Sequence, residues 1–222
     1  WIPFCRVGRM TYFTLFAPSL IAFITISVHA ADYTVDPSHS NVTFTVRHMM
    51  SKITGSFREF DGAFTFDAKE GKNASSGKFT TQAKSIFTDS EKRDEHLRSP
   101  DFFAIEQYPT LTFEWKSMTR AKGKNTKEKN RYTLKGDFTI HGVTNGGKKD
   151  PVVFDVEYLG TEKDPWGNQR VAFTAETKIN RKDYGLQWNK TLESGGLLIG
   201  DEVAIQLNIE AIEKKPTSEE KK

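Results

Sequence analysis

The feature that most constrains this chain is a strict alternation of apolar and polar residues, which recurs eight times. Such alternation is typical of a β-strand with one buried face, because successive side chains of a strand point to opposite faces. The eight runs are Val42–His48, Phe60–Phe66, Phe79–Ala83, Leu111–Trp115, Tyr132–Ile140, Val152–Tyr158, Val171–Ile179 and Val203–Ile209. The pattern predicts an all-β fold with eight strands.

The segments between the runs favour an antiparallel sheet. Residues 121–130 and 164–168 are rich in Gly, Asn and charged residues, and we predict hairpin connections there. The pattern predicts one short helix, from about Ser90 to Arg98, capped by Asp89 or Ser90. Because no long amphipathic helix alternates with the strands, parallel βαβ architectures are disfavoured.

Eight strands of this kind must either close on themselves or split into a sandwich, since an open sheet would leave bare edges and an uncovered apolar face. The chain has 17 phenylalanines, most of them on the inward face of a predicted strand, and an eight-stranded barrel has room for side chains or one small ligand. We therefore predict an eight-stranded antiparallel barrel with one short helix. Its interior is either packed solid by these rings or open as an apolar tube.

A long segment without strand alternation favours the tube. Residues 180–200 carry Tyr184, Leu186, Trp188, Leu197 and Leu198 but no strand pattern. Long loops rich in apolar residues are usually lids or binding loops. A solidly packed barrel would not need one.

The N-terminal region predicts export. Residues 10–31 carry no charge, Arg6 and Arg9 precede them, and Val28-His29-Ala30 has small residues at both positions that a signal peptidase reads. We expect a signal peptide over residues 1–30, a barrel domain over 31–213, a charged flexible tail over 214–222, and a periplasmic or secreted protein. A membrane-spanning helix is the alternative for the first segment, but no stable span is expected after cleavage.

Charge and cysteine content narrow the function classes. The formal charge of +3 falls to +1 when residues 1–30 are removed, because they hold two arginines and no acid. Basic residues are mixed with acidic ones along the chain, so nothing suggests nucleic acid as a partner. The single cysteine, Cys5, lies in the predicted signal peptide, so the exported domain must be stabilised by its core.

Catalytic and metal-binding patterns are weak. Asp36, Ser38 and His39 are close in sequence, but the chain has no Gly-x-Ser-x-Gly elbow. The histidines beyond residue 30 are His39, His48, His96 and His141, and none has a second ligand at a spacing typical of zinc. We therefore predict neither a catalytic centre nor a metal site, with a hydrolase as the less favoured alternative.

Five segments occur in a characteristic order: Val35–His48 with Gly55–Phe57 and Phe60–Gly62, then Lys92–Phe103 with Tyr108-Pro109, then Gly136–Thr144, Asn180–Gly185 and Gly200–Val203. Together they resemble the YceI-like family of periplasmic polyisoprenoid-binding proteins. The resemblance implies a lipocalin-like barrel, often paired into dimers, that holds the hydrocarbon tail of an isoprenoid quinone or polyprenyl phosphate. It implies this lipid as the ligand, with no other cofactor.

This resemblance and the inward faces together give a candidate site. The residues expected to line the apolar tube are Phe44, Phe64, Phe66, Phe79, Phe113, Phe138, Ile140, Phe154, Phe173 and Trp188. The candidates for the head group are His48, Arg93 and His96. Two alternatives remain open: Arg93 and His96 could simply lock the helix to the barrel, and the barrel could be a solid interaction or stress protein with no ligand.

Overall fold

The computed structural model describes residues 30–67, 75–121, 130–193 and 195–215. The predicted signal peptide, except Ala30, lies outside these ranges, as do residues 216–222 of the predicted tail and residues 122–129 of the predicted loop. Within the described ranges, no helix is long and apolar enough to cross a bilayer.

Twelve strands and one α-helix make up the described chain. They are β1 Ala31–Val35, β2 Asn41–His48, β3 Ser51–Phe57, β4 Phe60–Phe66, β5 Ser75–Gln82, β6 Ile86–Phe87, α1 Glu91–Arg98, β7 Thr110–Arg120, β8 Arg131–Ile140, β9 Val143–Thr144, β10 Val152–Lys163, β11 Gln169–Asn180 and β12 Ile199–Glu213. Short 3-10 turns lie at Ala83–Ser85, Asn145–Gly147 and Arg181–Tyr184. Ser90 occupies the N-cap position of α1, as expected, but its side chain makes no capping hydrogen bond.

Eight strands close into an antiparallel barrel in the order β1-β4-β5-β7-β8-β10-β11-β12, and β1 pairs with β12 to complete the ring. The strands β2, β3 and β6 continue β1, β4 and β5 beyond a bend, since β2 also pairs with β12, β3 with β2 and β6 with β3. The predicted eight-stranded barrel is confirmed. The eight predicted runs correspond to β2, β4, β5, β7, β8, β10, β11 and β12, whereas β1, β3, β6 and β9 were not predicted.

Glycines facing aromatic rings explain why β3 escaped the alternation pattern. Its Gly55 pairs with Phe44 on β2, and a side chain at Gly55 would collide with the Phe44 ring. The same arrangement recurs at Gly62, where a Cβ would lie 2.8 Å from Cδ2 of Phe79, and at Gly136, 2.7 Å from Cζ of Phe113. A strand glycine often marks such a close approach. An inward glycine carries no apolar signal of its own. β4 and β8 were still predicted because they keep several other apolar inward residues, whereas β3 keeps only Ile53 and Phe57.

A charged cluster holds the bend between β1 and β2. Nη1 of Arg170 donates to Asp36 at 2.8 Å and to Glu210 at 2.5 Å, and its Nε donates to Asp164 at 3.0 Å. The Ser38 hydroxyl and the Arg170 guanidinium hold the pKa of Asp36 well below its usual range. Burial raises the pKa of Asp164, but hydrogen bonds from Asn168 and Arg170 outweigh it and lower that pKa to about 2.

We expect the free energy of unfolding to fall as the pH drops from about 4 towards about 2, because Asp36 and Asp164 have lowered pKa values in the folded protein. In that pH window the unfolded chain binds more protons than the folded protein. The stability that these carboxylates contribute is therefore complete above their ordinary pKa, and it is lost as the pH falls to their pKa in the folded protein. Urea unfolding across this range should show a shallower pH dependence for Arg170→Met than for the parent. Lys78→Met, which breaks an exposed ion pair with Glu114, is the matched control, and an equal slope in all three proteins would contradict the assignment.

Candidate ligand-binding tube

A cavity of about 580 Å³ runs inside the barrel and is lined almost entirely by apolar side chains. Nine of the ten residues predicted to line a tube do line it, namely Phe44, Phe64, Phe79, Phe113, Phe138, Ile140, Phe154, Phe173 and Trp188. They come from seven different strands and the segment before β12. Rings therefore surround the cavity instead of filling it.

Phe66 does not line the cavity, contrary to the prediction. It is 2% exposed and packs against Tyr132, Tyr158 and Phe173, with ring centroids 6.2, 5.4 and 4.9 Å away. Tyr33, at the same end of the barrel, is also buried. Its ring stacks on that of Phe64, with the two centroids 5.6 Å apart. These five rings (Tyr33, Phe66, Tyr132, Tyr158 and Phe173) form an aromatic plug that closes one end of the barrel.

The other end of the cavity is its mouth, bounded by the end of β2, by α1 and by the segment between Gly185 and Ile199. Leu186, Trp188 and Leu198 from that segment line the cavity, as expected of a binding loop. Tyr184 anchors the start of the segment, since it is buried against Phe138 with ring centroids 6.1 Å apart. Burial raises the pKa of Tyr184 to about 12, so its hydroxyl stays neutral at physiological pH.

Arg181 positions this segment, and sequence reasoning gave it no role. It is 4% exposed, and its guanidinium donates to three backbone carbonyls: Leu186 at 2.5 Å, Trp188 at 3.0 Å and Gly200 at 2.9 Å. Burial lowers the pKa of Arg181, and Asp201, with Oδ1 3.6 Å from Nη2, acts against that shift. The Asn180–Gly185 motif could have drawn attention to Arg181, but alternation cannot reveal a buried charge that holds a loop.

The three predicted head-group residues line the cavity near its mouth, but they differ in what already holds them. His48, at the end of β2, has no side-chain hydrogen bond to any described residue. Arg93 donates to the hydroxyl of Thr88 at 2.7 Å and to its carbonyl, while the buried Asp94 accepts from the same hydroxyl at 2.5 Å. These bonds hold the start of α1 against Thr88, the residue that follows β6.

His96 is also engaged. Its Nε2 lies 2.9 Å from Asp101, and its ring packs edge-on against Phe102 and Trp188, with centroids 5.1 and 4.8 Å away. It thus joins α1 to the loop at the mouth. Among the described residues, all the titratable side chains that line the cavity are basic, and they belong to elements at the mouth. They are His48, Lys92, Arg93, His96 and Arg181.

The Asp36, Ser38 and His39 group does not form a hydrolytic triad. Nδ1 of His39 contacts both the Ser38 hydroxyl, at 3.0 Å, and Asp36, at 2.8 Å. A triad needs the serine and the acid on opposite ring nitrogens. Asp36, His39 and Glu210 also come close enough to hold a cation, but the guanidinium of Arg170 already bonds both carboxylates.

Residues 33–211 match the family described as the YceI-like domain. A UPF0312 protein of Staphylococcus aureus is 36% identical over 181 residues, which cover 81% of this chain and 96% of that protein.

Among solved structures, Burkholderia cenocepacia BcnA aligns with a TM-score of 0.65 at 20% identity, over 79% of this chain and 98% of the other. A polyisoprenoid binding domain from Saccharophagus degradans, implicated in plant cell wall breakdown, aligns with a TM-score of 0.55 at 15% identity, over 83% of this chain and 99% of the other. At these identities the likeness shows a shared fold.

Proposed function

The chain belongs to the YceI-like domain family, and we propose that it is a binding protein that holds the hydrocarbon chain of an isoprenoid lipid inside its barrel. The observation that carries this proposal is the cavity of about 580 Å³ surrounded by nine of the predicted apolar side chains. The Saccharophagus degradans domain of the same fold, which is described as polyisoprenoid binding, supports the same ligand class.

The size of the cavity suits a chain of several isoprene units. If a methylene group takes roughly the ~30 Å³ that a water molecule occupies in the liquid, a cavity of about 580 Å³ holds on the order of 20 carbon atoms, or about four units. At ~0.8 kcal/mol per buried CH₂, the tail supplies most of the affinity. The head group then selects among ligands of equal length.

The mouth suits a head group that accepts hydrogen bonds, such as a phosphate or a quinone carbonyl. His48 is the side chain best placed to serve it, because Arg93 and His96 already bond to Thr88 and Asp101. Arg93 contributes positive charge, and Arg93 and His96 together fix the position of α1. We further propose that the mature protein acts in the periplasm or outside the cell, and that it forms homodimers.

Two other functions have less support. A solidly packed interaction or stress protein would have no use for a cavity of this size. A hydrolase would need a nucleophile aligned with its base, and the Ser38 hydroxyl and the Asp36 carboxylate contact the same nitrogen of His39.

Affinity should depend on tail length. In a titration with prenyl alcohols of increasing length, we expect the dissociation constant to fall at least tenfold with each added isoprene unit. The gain should level off at about four units, where the cavity of about 580 Å³ is full. A dissociation constant independent of tail length, or no binding at any length, would contradict the proposed function.

A further inference from the structure

Exposed apolar side chains gather on two neighbouring turns beside the mouth of the tube. Met50 is 98% exposed, Met49 42% and Leu197 38%. The methionines form the turn between β2 and β3, and Leu197 lies just before β12. The backbone N–H of Met49 donates to the carbonyl of Leu198 at 2.9 Å, so the two turns are joined. We call Met49, Met50 and Leu197 the mouth lip.

The mouth lip continues directly into the wall of the cavity. His48 and Leu198, the chain neighbours of Met49 and Leu197, both line the cavity, and His48 pairs with Ile199 at the start of β12. A hydrocarbon chain that leaves the tube at this end therefore passes the mouth lip first.

Basic residues lie next to the mouth lip. Arg47 and Lys52 flank the two methionines, and residues 47–52 contain no acid. Lys190 lies on the adjoining turn, with Nζ 5.9 Å from the Trp188 ring centroid, and the acid described on that turn is Glu193. Apolar side chains at the tip of a surface with basic residues behind them suit the interface of an anionic membrane.

We propose that the mouth lip is a docking surface for an anionic lipid bilayer, through which the isoprenoid passes between the membrane and the tube. The inference rests on the proposed function for what passes through, but docking itself needs no isoprenoid. An isoprenoid tail is insoluble in water. If the mouth inserts into the bilayer, the tail passes directly between the membrane and the tube without crossing the aqueous phase.

A second copy of this chain is a poorer occupant for the mouth lip. A stable protein interface buries about 800 Å² on each partner, whereas three side chains on two turns offer much less. The charges also favour a membrane, because Arg47 and Lys52 would face the same positive residues across a symmetric interface.

An exposed tryptophan at the opposite end supplies a matched control. Trp166 is 79% exposed and lies in the turn between β10 and β11. The start of β11 pairs with Ala211 and Ile212 near the end of β12, whereas the mouth lip adjoins the beginning of β12. Trp166→Ser therefore removes a larger exposed apolar group without touching the mouth.

The test is co-sedimentation with vesicles made of phosphatidylcholine and phosphatidylglycerol, free of isoprenoid. We expect the double variant Met49→Ser/Met50→Ser to partition on the order of 30-fold more weakly than the parent. Trp166→Ser should partition like the parent, and vesicles of phosphatidylcholine alone should bind the parent at least tenfold more weakly. Parent protein that does not sediment with the anionic vesicles, or an equal loss in Trp166→Ser, would overturn the proposal.

Two further measurements separate docking from ligand binding and from self-association. With a prenyl alcohol supplied in detergent micelles, the double variant should keep the parent's affinity while its uptake of the same alcohol from vesicles slows.

If the parent binds the alcohol from micelles but not the vesicles, docking is wrong and the proposed function stands. If it binds the vesicles but no alcohol, the proposed function fails and docking stands. A parent dimer that the double variant converts to monomers would show that a second copy covers the mouth lip, and would overturn docking.

Discussion

Replacing Phe66 by alanine should lower the free energy of unfolding by ~3–5 kcal/mol, with little effect on isoprenoid affinity. Phe66 is 2% exposed and belongs to the aromatic plug, where Tyr132, Tyr158 and Phe173 surround it. The cavity left behind cannot be filled by a ligand, because Phe66 does not line the tube. Chemical denaturation of the protein without ligand gives the measurement.

The matched variant is Phe44→Ala, which removes the same ring from the wall of the tube. Phe44 is partly buried and lines the cavity. Its ring packs against that of Phe57, with the centroids 5.7 Å apart. Since one side of its ring faces empty space, we expect a smaller loss of stability than for Phe66→Ala and a larger loss of affinity. Equal stability losses in the two variants, with affinity unchanged in both, would mean that the rings around the cavity are ordinary core.

Replacing Ala175 by tryptophan should weaken isoprenoid binding on the order of 100-fold and leave the stability of the unliganded protein nearly unchanged. Ala175 lies on β11, and its small side chain lines the cavity. If an indole displaces about four ligand methylenes at ~0.8 kcal/mol each, the loss is ~3 kcal/mol. Titration with a prenyl alcohol of about four isoprene units measures it.

An outward substitution on the same strand is the control for Ala175→Trp. Glu176 is the next residue and is exposed, so Glu176→Trp adds the same indole outside the barrel and should leave affinity unchanged. A loss of stability of several kcal/mol in Ala175→Trp would instead indicate overpacking of a filled interior.

The strands were predictable because each has one buried face, and alternation reports that face directly. The pattern failed where an inward position carries no side chain, as at Gly55, whose space the Phe44 ring fills. Alternation also does not show where along the barrel axis an inward side chain lies. Phe64 and Phe66 share one face of β4, yet Phe64 lines the tube and Phe66 belongs to the plug.

The mouth was the least predictable part of the site, because its side chains act through tertiary contacts. The sequence marked His48, Arg93 and His96 as polar residues near the mouth, and all three line the cavity. It could not show that Arg93 is bound to Thr88. It gave no sign that Arg181 is buried, with its guanidinium bonded to the carbonyls of Leu186 and Trp188 in the loop and of Gly200 in β12. Such bonds join residues with no fixed spacing.

The lipid content of the protein, purified without detergent, shows most directly whether the tube holds an isoprenoid. Mass spectrometry of an organic extract should find a lipid with a repeating isoprene tail, close to one molecule per protein chain, in the parent protein. The same extract of Ala175→Trp, folded and prepared identically, should contain far less of it. Absence of any isoprenoid from the parent, or the same amount in both proteins, would contradict the claim that the tube inside the barrel is the lipid site.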